Sequence, residues 1–343
     1  MRDVCPFFSI IERDLTMRHH HLTPPILTVL SLLSFAGLSH ADPLPSWNDG
    51  DNKKQIISFV ESVSNPGGEH YVPEPQRIAV FDNDGTLWGE QPLYFQLLFA
   101  MDRAGTLDSD LLATDAQRAA AQGDAQAILE RGEQGLQEVF DLTHANLSVD
   151  NFSDIVSRWL DEARHPETNR RYDDMVYQPM LELLSFLRDK DFETYIVSAG
   201  GLHFMRAFAT QTYGIEPQNV IGSSTNTEVV DQDGELLLMK TPGVSWYNDG
   251  PAKIEAIDRH IGQRPIIAGG NSDGDVPMMI WVTEGDGPRL GIMIHHTDSE
   301  REAEYDRDSE IGKLDKGLDE AASRGWSLID MESDWDAVYP YAD

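Results

Sequence analysis

Two carboxylates one residue apart, Asp82 and Asp84, follow the apolar run of residues 78–81 and lead into Gly85 and Thr86. A carboxylate in such a place can attack phosphorus, ligate a hard cation, or do both. Three further stretches carry matching chemistry. Ser198 precedes Ala199, Gly200 and Gly201, and offers a hydroxyl beside backbone N–H groups that suit a phosphoryl oxygen. Lys253, near a helix start, could neutralise charge shared by a carboxylate and a phosphate. The acidic, glycine-rich residues 269–275 (GGNSDGD) supply the oxygen donors that Mg²⁺ favours. Taken singly, each has an ordinary reading: a serine after a strand usually forms a turn, and a lone lysine is usually a solvated surface group. All four, in this order and each at the end of an element, point to one crevice.

The elements that must position them are strands and helices in alternation. Residues 78–81 (IAVF) form an unbroken apolar run of strand length, the pattern of a buried strand. Further strands are predicted at 193–197, 220–222, 265–268, 289–294 and 326–329. Helical spacing marks 51–64, 174–189, 202–213, 252–261 and 311–323. Residues 228–240, broken by Asp231-Gln232-Asp233-Gly234, read as a hairpin. Strands separated by helices imply an α/β fold of parallel, right-handed βαβ units. In an open sheet of that kind, ligands bind beyond the carboxyl ends of the strands. Helical patterns at 92–103, 108–121, 136–145 and 152–163, with no strand between them, predict a compact all-helical insertion at 91–172. The core is then residues 42–90 and 173–343.

Length and composition set outer limits. With 343 residues and 40% hydrophobic content, the chain can bury a sizeable core in one large domain with an insertion, or in two domains. A formal charge of −33 speaks against nucleic acid or an anionic membrane as a partner, because both reward Lys and Arg. Acidity of this degree is a solvation device, as in proteins that work in concentrated salt; refolding that succeeds equally with and without high salt would count against that habitat. From Met17 the chain reads as a signal peptide. A basic opening, an apolar stretch at 26–38 too short to span a bilayer, and Ser39-His40-Ala41 predict cleavage after Ala41. The expected product is an exported, periplasmic protein, free of the membrane; the rival reading is an uncleaved anchor. Cys5 lies upstream, so the mature chain has no disulfide, thiol nucleophile or zinc–thiolate site.

Asp82-Asn83-Asp84-Gly85-Thr86, the strand-terminal Ser198, Lys253 and Gly270-Asn271-Ser272-Asp273-Gly274-Asp275 resemble, in order, the four motifs of the haloacid dehalogenase-like (HAD) hydrolase superfamily. The resemblance implies a Rossmann-like parallel sheet with a mobile helical cap inserted after the first motif, as in phosphoserine-phosphatase-like members. It implies that Asp82 is a nucleophile that forms an aspartyl-phosphate. Asp84 is then the general acid for the leaving group, and afterwards the base that activates water. By the same resemblance Thr86, Ser198, Ala199 and Gly200 bind phosphoryl oxygens, and Lys253 steadies the nucleophile. Mg²⁺ is assigned to Asp82, Asp84 (through its carbonyl), Asn271 and Asp275. The implied activity is Mg²⁺-dependent hydrolysis of a small phosphomonoester. The chemistry agrees with this division: a carboxylate beside Mg²⁺ stays ionised and nucleophilic, while one nearer the leaving oxygen shuttles a proton. Asp84 also speaks against a true dehalogenase, since those members lack the second Asp.

One departure matters. The family's fourth motif usually begins Gly-Asp, and here Asn271 takes that place. Aligned on the tail Asp275-Val276-Pro277-Met278, Asn271 is the metal ligand and Asp275 the supporting carboxylate; sliding the loop makes Asp273 the ligand instead. A neutral amide oxygen should hold Mg²⁺ more weakly than a carboxylate. The alternative function is therefore a non-catalytic phosphoryl-ligand binding protein, or within enzymes a phosphotransferase. A phosphonate-cleaving hydrolase is disfavoured, because residues 91–172 contain no lysine to form the imine that such members use. Trp88 and Glu90 lie where the family places a flap, and either touch substrate or pack. Arg170 and Arg171 either grip a substrate carboxylate or phosphate or, the favoured reading, are surface charges; His295-His296 either reach the crevice or are a chance pair, and Asp249 reads as a helix N-cap.

Overall fold

In the computed structural model, which describes residues 41–341, the apolar run becomes strand β1 (Ile78–Phe81), buried along its whole length. Its alternate side chains feed two cores: Ala79 and Phe81 enter one, Ile78 and Val80 the other. A strand covered on both faces has no polar side to show, which is why its sequence does not alternate. Six more strands complete the sheet: β2 (Glu193–Gly201), β3 (Val220–Gln232), β4 (Glu235–Trp246), β5 (Ile267–Gly270), β6 (Leu290–His295) and β7 (Ser327–Asp330). Their order is β4-β3-β2-β1-β5-β6-β7. All neighbours are parallel except β3 and β4, an antiparallel hairpin at one edge.

Helix α1 (Asp51–Ser64) leads in, and α2 (Phe95–Gly105), α3 (Asp115–Ala121), α4 (Ala125–Leu129), α5 (Gly132–His144) and α6 (Val149–Glu162) make up the insertion. Then come α7 (Gln178–Asp189), α8 (Leu202–Arg206), α9 (Ala209–Tyr213), α10 (Ala252–His260), α11 (Val276–Thr283), α12 (Lys316–Arg324) and α13 (Met331–Asp334). Ile56, Val60 and Val63 of α1 and Leu183, Leu184 and Leu187 of α7 pack in the first core. Ala256 and Ile257 of α10, Met278, Met279 and Val282 of α11, and Ala321 of α12 pack in the second. Helices thus cover both faces of a mostly parallel sheet, the expected Rossmann-like α/β class. From β1 the chain winds to β2 and β3 on one side, then crosses to β5 on the other. A crevice opens at such a reversal, here between the ends of β1 and β5.

The insertion has a small core of its own, with Leu97, Ala100, Met101, Ala116, Ala120 and Val139. It does not stand apart, since from Asp42 onward the chain forms one compact unit. The hairpin is much longer than residues 228–240 and reaches the insertion. Asn146 N–H donates to Lys240 O at 2.8 Å, Lys240 N–H to Leu147 O at 2.8 Å, and Gly243 N–H to Asp141 Oδ1 at 2.7 Å. Lys240 Nζ turns inward, donating to Thr225 Oγ1 at 2.8 Å and lying 4.6 Å from the centre of the Phe152 ring.

Other boundaries also shift. β2 runs past Val197 to Gly201 through an irregular register, because Gly201 still pairs with Ser223. Residues 202–213 split into α8 and α9, since Phe208 leaves helical geometry and stacks on Trp88 at 4.5 Å between ring centres. Helix α12 starts at Lys316, and residues 298–315 before it fold back over the end of β1 instead of extending a helix. The expected signal peptide, 17–41, lies outside the described residues except for Ala41.

Candidate active site

Asp82 is the first residue beyond β1, and its backbone N–H donates to Gly269 O at 3.0 Å, which fixes it at the crevice floor. Lys253, in the first turn of α10 and 1% exposed, reaches across to it. Lys253 Nζ donates to Asp82 Oδ1 at 2.9 Å and to Asp275 Oδ1 at 2.6 Å. The second oxygen of Asp82, Oδ2, accepts no hydrogen bond among the described residues. One oxygen is held and the other left free, as a positioned nucleophile requires. Asp275 is more fully committed. Its Oδ2 takes Asn271 N–H at 3.1 Å, Ser272 N–H at 3.0 Å and the Ser272 hydroxyl at 3.1 Å. Both its oxygens are engaged by protein donors, so it ties Lys253 to the loop after β5.

Asp84 stands opposite. Its Oδ1 accepts the Trp88 indole N–H at 2.7 Å, and a Cβ placed on Gly200 would lie 3.4 Å from its Oδ2. That short approach brings the first motif against the stretch after Ser198. Ser198 is itself buried, its Oγ accepting Gly200 N–H at 3.0 Å and its carbonyl accepting Asn248 Nδ2–H at 2.9 Å. The Gly201 N–H goes to Gln96 Oε1 of α2 at 2.7 Å. The Gly200 and Gly201 amides are thus already taken here, while the Ser198 hydroxyl hydrogen has no acceptor among the described residues.

The loop after β5 brings Asn271 to the same floor. Thr86, fully buried, donates Oγ1–H to Asn271 Oδ1 at 3.0 Å, so its hydroxyl is directed at the amide rather than left open to a ligand. On its other side Asn271 Nδ2–H donates to Glu90 Oε1 at 2.6 Å. Glu90 also accepts the Tyr305 hydroxyl at 2.7 Å. Asp273 points elsewhere: its Oδ1 accepts Asp315 N–H at 3.0 Å and Gly317 N–H at 2.9 Å, pinning the segment ahead of α12. Gly85, at φ +68°, lets the chain pass beneath this cluster; a Cβ there would lie 2.0 Å from Asn271 Nδ2.

Asp82 and Asp275 thus share one ammonium, Lys253, with the carboxylates of Asp84 and Glu90 acting on Asp82 and on each other close by. Burial, then repulsion from Asp275, pushes Asp82 up to about 7, and burial pushes Asp84 up to about 6. Burial holds Glu90 well above the ordinary carboxylate range, and the charges of Asp84 and Asp82 add to this. Such an excess of buried negative charge is relieved by a hard cation. No three His, Cys, Asp or Glu side chains converge in ligating geometry among the described residues. The donors that fit Mg²⁺ are instead mixed oxygens: the Asp82 carboxylate, the Asp84 carbonyl and the Asn271 amide, completed by water.

Apart from Trp88 and Glu90, the residues given only lower weight from sequence stay outside this cluster, with one exception. Arg170 stacks over the Tyr341 ring, and Arg171 pairs with Asp161 and Asp173. His295 faces Asp306 at 3.6 Å. Asp249 is not the cap of α10, whose N-cap is Pro251 with no side-chain cap, though Asp249 O accepts Ala252 N–H at 3.1 Å. His296 proves more than a chance neighbour, with Nε2 2.8 Å from Gly85 O and Nδ1 3.0 Å from Glu302 Oε2. The residues that sequence reasoning passed over are Asn248, Tyr305 and Glu302. Asn248, a polar residue between β4 and α10 in the run Tyr247–Gly250, carries a faint local signal; the other two carry none.

A family model described as haloacid dehalogenase-like hydrolase matches residues 79–279 of the chain. A search of curated proteins finds no significant match. Among solved structures, a conserved protein of unknown function from Anaerococcus prevotii DSM 20548 superposes with a TM-score of 0.56 at 16% identity, covering 89% of this chain and 100% of that one. A protein of unknown function from Bordetella pertussis Tohama I gives 0.50 at 16% identity, over 75% and 99% of the two chains. A phosphoserine phosphohydrolase-like protein from Francisella tularensis superposes more loosely, at 0.37 and 15% identity, over 72% and 98%.

Proposed function

The chain belongs to the haloacid dehalogenase-like hydrolase family, and from that premise we propose that it is a Mg²⁺-dependent phosphatase acting on small phosphomonoesters. The observation that carries this is Asp82: a buried carboxylate at the sheet's reversal point, one oxygen held by Lys253 and the other without a protein partner, with a second carboxylate facing it.

Asp82 Oδ2 attacks the substrate phosphorus and displaces the alcohol oxygen, to which Asp84 gives its proton. Asp84, raised to about 6 by burial, retains a proton for this step far better than an exposed aspartate. Water then attacks the phosphorus of the aspartyl-phosphate, Asp84 takes a proton from it, and inorganic phosphate leaves with the Asp82 carboxylate restored. Lys253 keeps Asp82 oriented through both steps, and its charge offsets that gathering on the phosphoryl oxygens. The Ser198 hydroxyl is the free donor on the phosphoryl side. Mg²⁺, held by Asp82, the Asp84 carbonyl and Asn271, would supply electrostatic stabilisation of the phosphoryl charge and keep Asp82 ionised. The signal-peptide pattern at 17–41 supports placing this activity in the periplasm, and among the described residues no helix is long and apolar enough to cross a membrane.

The test is hydrolysis of an aryl phosphate with Mg²⁺ or with chelator, beside Asp82→Asn. Metal-dependent turnover that disappears in the variant is expected. A folded protein that turns over neither this ester nor a panel of small phosphates would be a phosphoryl-ligand binder instead.

A further inference from the structure

Asn271 stands where the family's fourth motif carries a carboxylate, and the charge it lacks has a counterpart close by. Glu90 lies two residues after Trp88, is 2% exposed, and meets the Asn271 amide at 2.6 Å. Two backbones are pared to glycine around its Oε1. A Cβ on Gly85 would fall 2.3 Å from that oxygen, and a Cβ on Gly312 only 1.9 Å, with both glycines at left-handed φ of +68° and +65°. Tyr305 donates to the same oxygen. No Lys, Arg or His pairs with Glu90 among the described residues, where its partners are the Asn271 amide and the Tyr305 hydroxyl. A packed site built around a buried carboxylate with no cation is costly to the fold unless a cation arrives.

We propose that Glu90 is a positioning residue of the Mg²⁺ site: Asn271 contributes the ligating oxygen, and Glu90, through the Asn271 amide, contributes the negative charge that the fourth motif has lost. A carboxylate accepting from Nδ2–H fixes which end of the amide faces the metal, and it draws electron density toward Oδ1, making that oxygen a stronger donor. Thr86 keeps the same orientation from the other side. The pair Asn271–Glu90 then does what a single aspartate does elsewhere, with its charge displaced one side chain outward.

This inference rests on the Mg²⁺-dependent reading above, and calorimetric titration of the metal-free protein with Mg²⁺ separates the two. Glu90→Gln keeps the shape and the acceptor oxygen but removes the charge, and should weaken Mg²⁺ binding about 10- to 100-fold. Adding Asn271→Asp to that variant returns the charge to the inner position and should bring the affinity back near the parent's. If E90Q alone does not fold, as judged by circular dichroism and melting in chelator, the double variant against the parent decides, since it must bind Mg²⁺ nearly as well. A parent that takes up no Mg²⁺ would end the metal reading and this one together. A parent that binds, with E90Q binding equally well, overturns only the role of Glu90. So does a rise in KM at saturating Mg²⁺ with unchanged Mg²⁺ affinity, which would make Glu90 a substrate contact.

Discussion

Lys240 should weaken the fold at neutral pH, and replacing it should strengthen the protein. Its side chain is 2% exposed where the hairpin meets the insertion, and burial lowers its ammonium from 10.5 to about 8. At about 1.36 kcal/mol per pH unit, holding that proton in the folded state below pH 8 costs about 3 kcal/mol. The hydrogen bonds to Thr225 Oγ1 and, at 3.2 Å, to His203 Nδ1 give back about 0.5 kcal/mol each, and the Phe152 ring contact about 1 kcal/mol. Lys240→Met keeps the length of the side chain and removes the charge, while Thr225 is only half-buried and can turn to water. The variant should therefore be more stable at pH 7 by about 1 kcal/mol. The pH dependence gives the sign a second check. Between about pH 8 and pH 10.5 the unfolded chain holds a proton that the folded chain has released, so the parent gains stability as pH rises through that window. The variant has no such gain, and its advantage should shrink to nothing by about pH 10. Urea unfolding of both proteins, followed by tryptophan fluorescence from pH 6 to 10, measures this directly. A variant less stable than the parent at pH 7, or a difference that stays flat across the range, would refute the reasoning.

The catalytic floor yields further expectations. Lys253→Met leaves Asp82 and Asp275 buried without their shared cation, so it should cost about 3–5 kcal/mol in urea unfolding at pH 7 as well as abolish turnover; a loss under about 1 kcal/mol would mean that water replaces the ammonium. Gly312→Ala forces a methyl group onto Glu90 Oε1 at a positive φ, and should lower the melting temperature by an amount corresponding to at least about 1–2 kcal/mol. An unchanged melting temperature would show that the segment does not seat on Glu90. Asp273→Ala strands the Asp315 and Gly317 amides, destabilising by about 1–3 kcal/mol while leaving Mg²⁺ affinity intact. A collapse of that affinity would restore Asp273 as the ligand.

What could be read from sequence was what a short stretch decides by itself. Residues 78–81 announce a strand buried on both sides, and a Pro near the start of α10 announces a helix. The acidic loop after β5 is legible because glycine and carboxylate together have few uses. The polar network behind that loop is a different matter. Glu90 meets Tyr305 across 215 residues and Asn271 across 181, so nothing within either stretch carries the partnership. Glu90 read equally well as a substrate contact or a packing residue, and Tyr305 as one more aromatic in a charged loop. The hairpin was legible at its Asp-Gly turn but not in its length. Outer residues such as Val229 and Leu236 are 68% and 71% exposed, so burial does not mark where the strands stop. The split between α8 and α9 follows from Phe208 stacking on Trp88, a tertiary contact that overrides local helical preference.

The hairpin also bears on how the insertion can move. A body joined to a frame at two points can swing about the line between them, and a third attachment off that line removes the axis. Here the two chain crossings, before α2 and after α6, are joined by a third tie, from Asn146 and Leu147 to Lys240 and from Asp141 to Gly243. The insertion cannot open as a simple door. A swing of the insertion either breaks those hydrogen bonds or bends the hairpin with it, and at the hairpin's base Ser223 holds the Ala199 carbonyl at 2.7 Å and the Asn248 N–H at 3.0 Å. The hairpin is therefore a lever whose short arm ends at the stretch after Ser198, so that a motion of the insertion carried by the hairpin would also shift the residues proposed to hold the phosphoryl group.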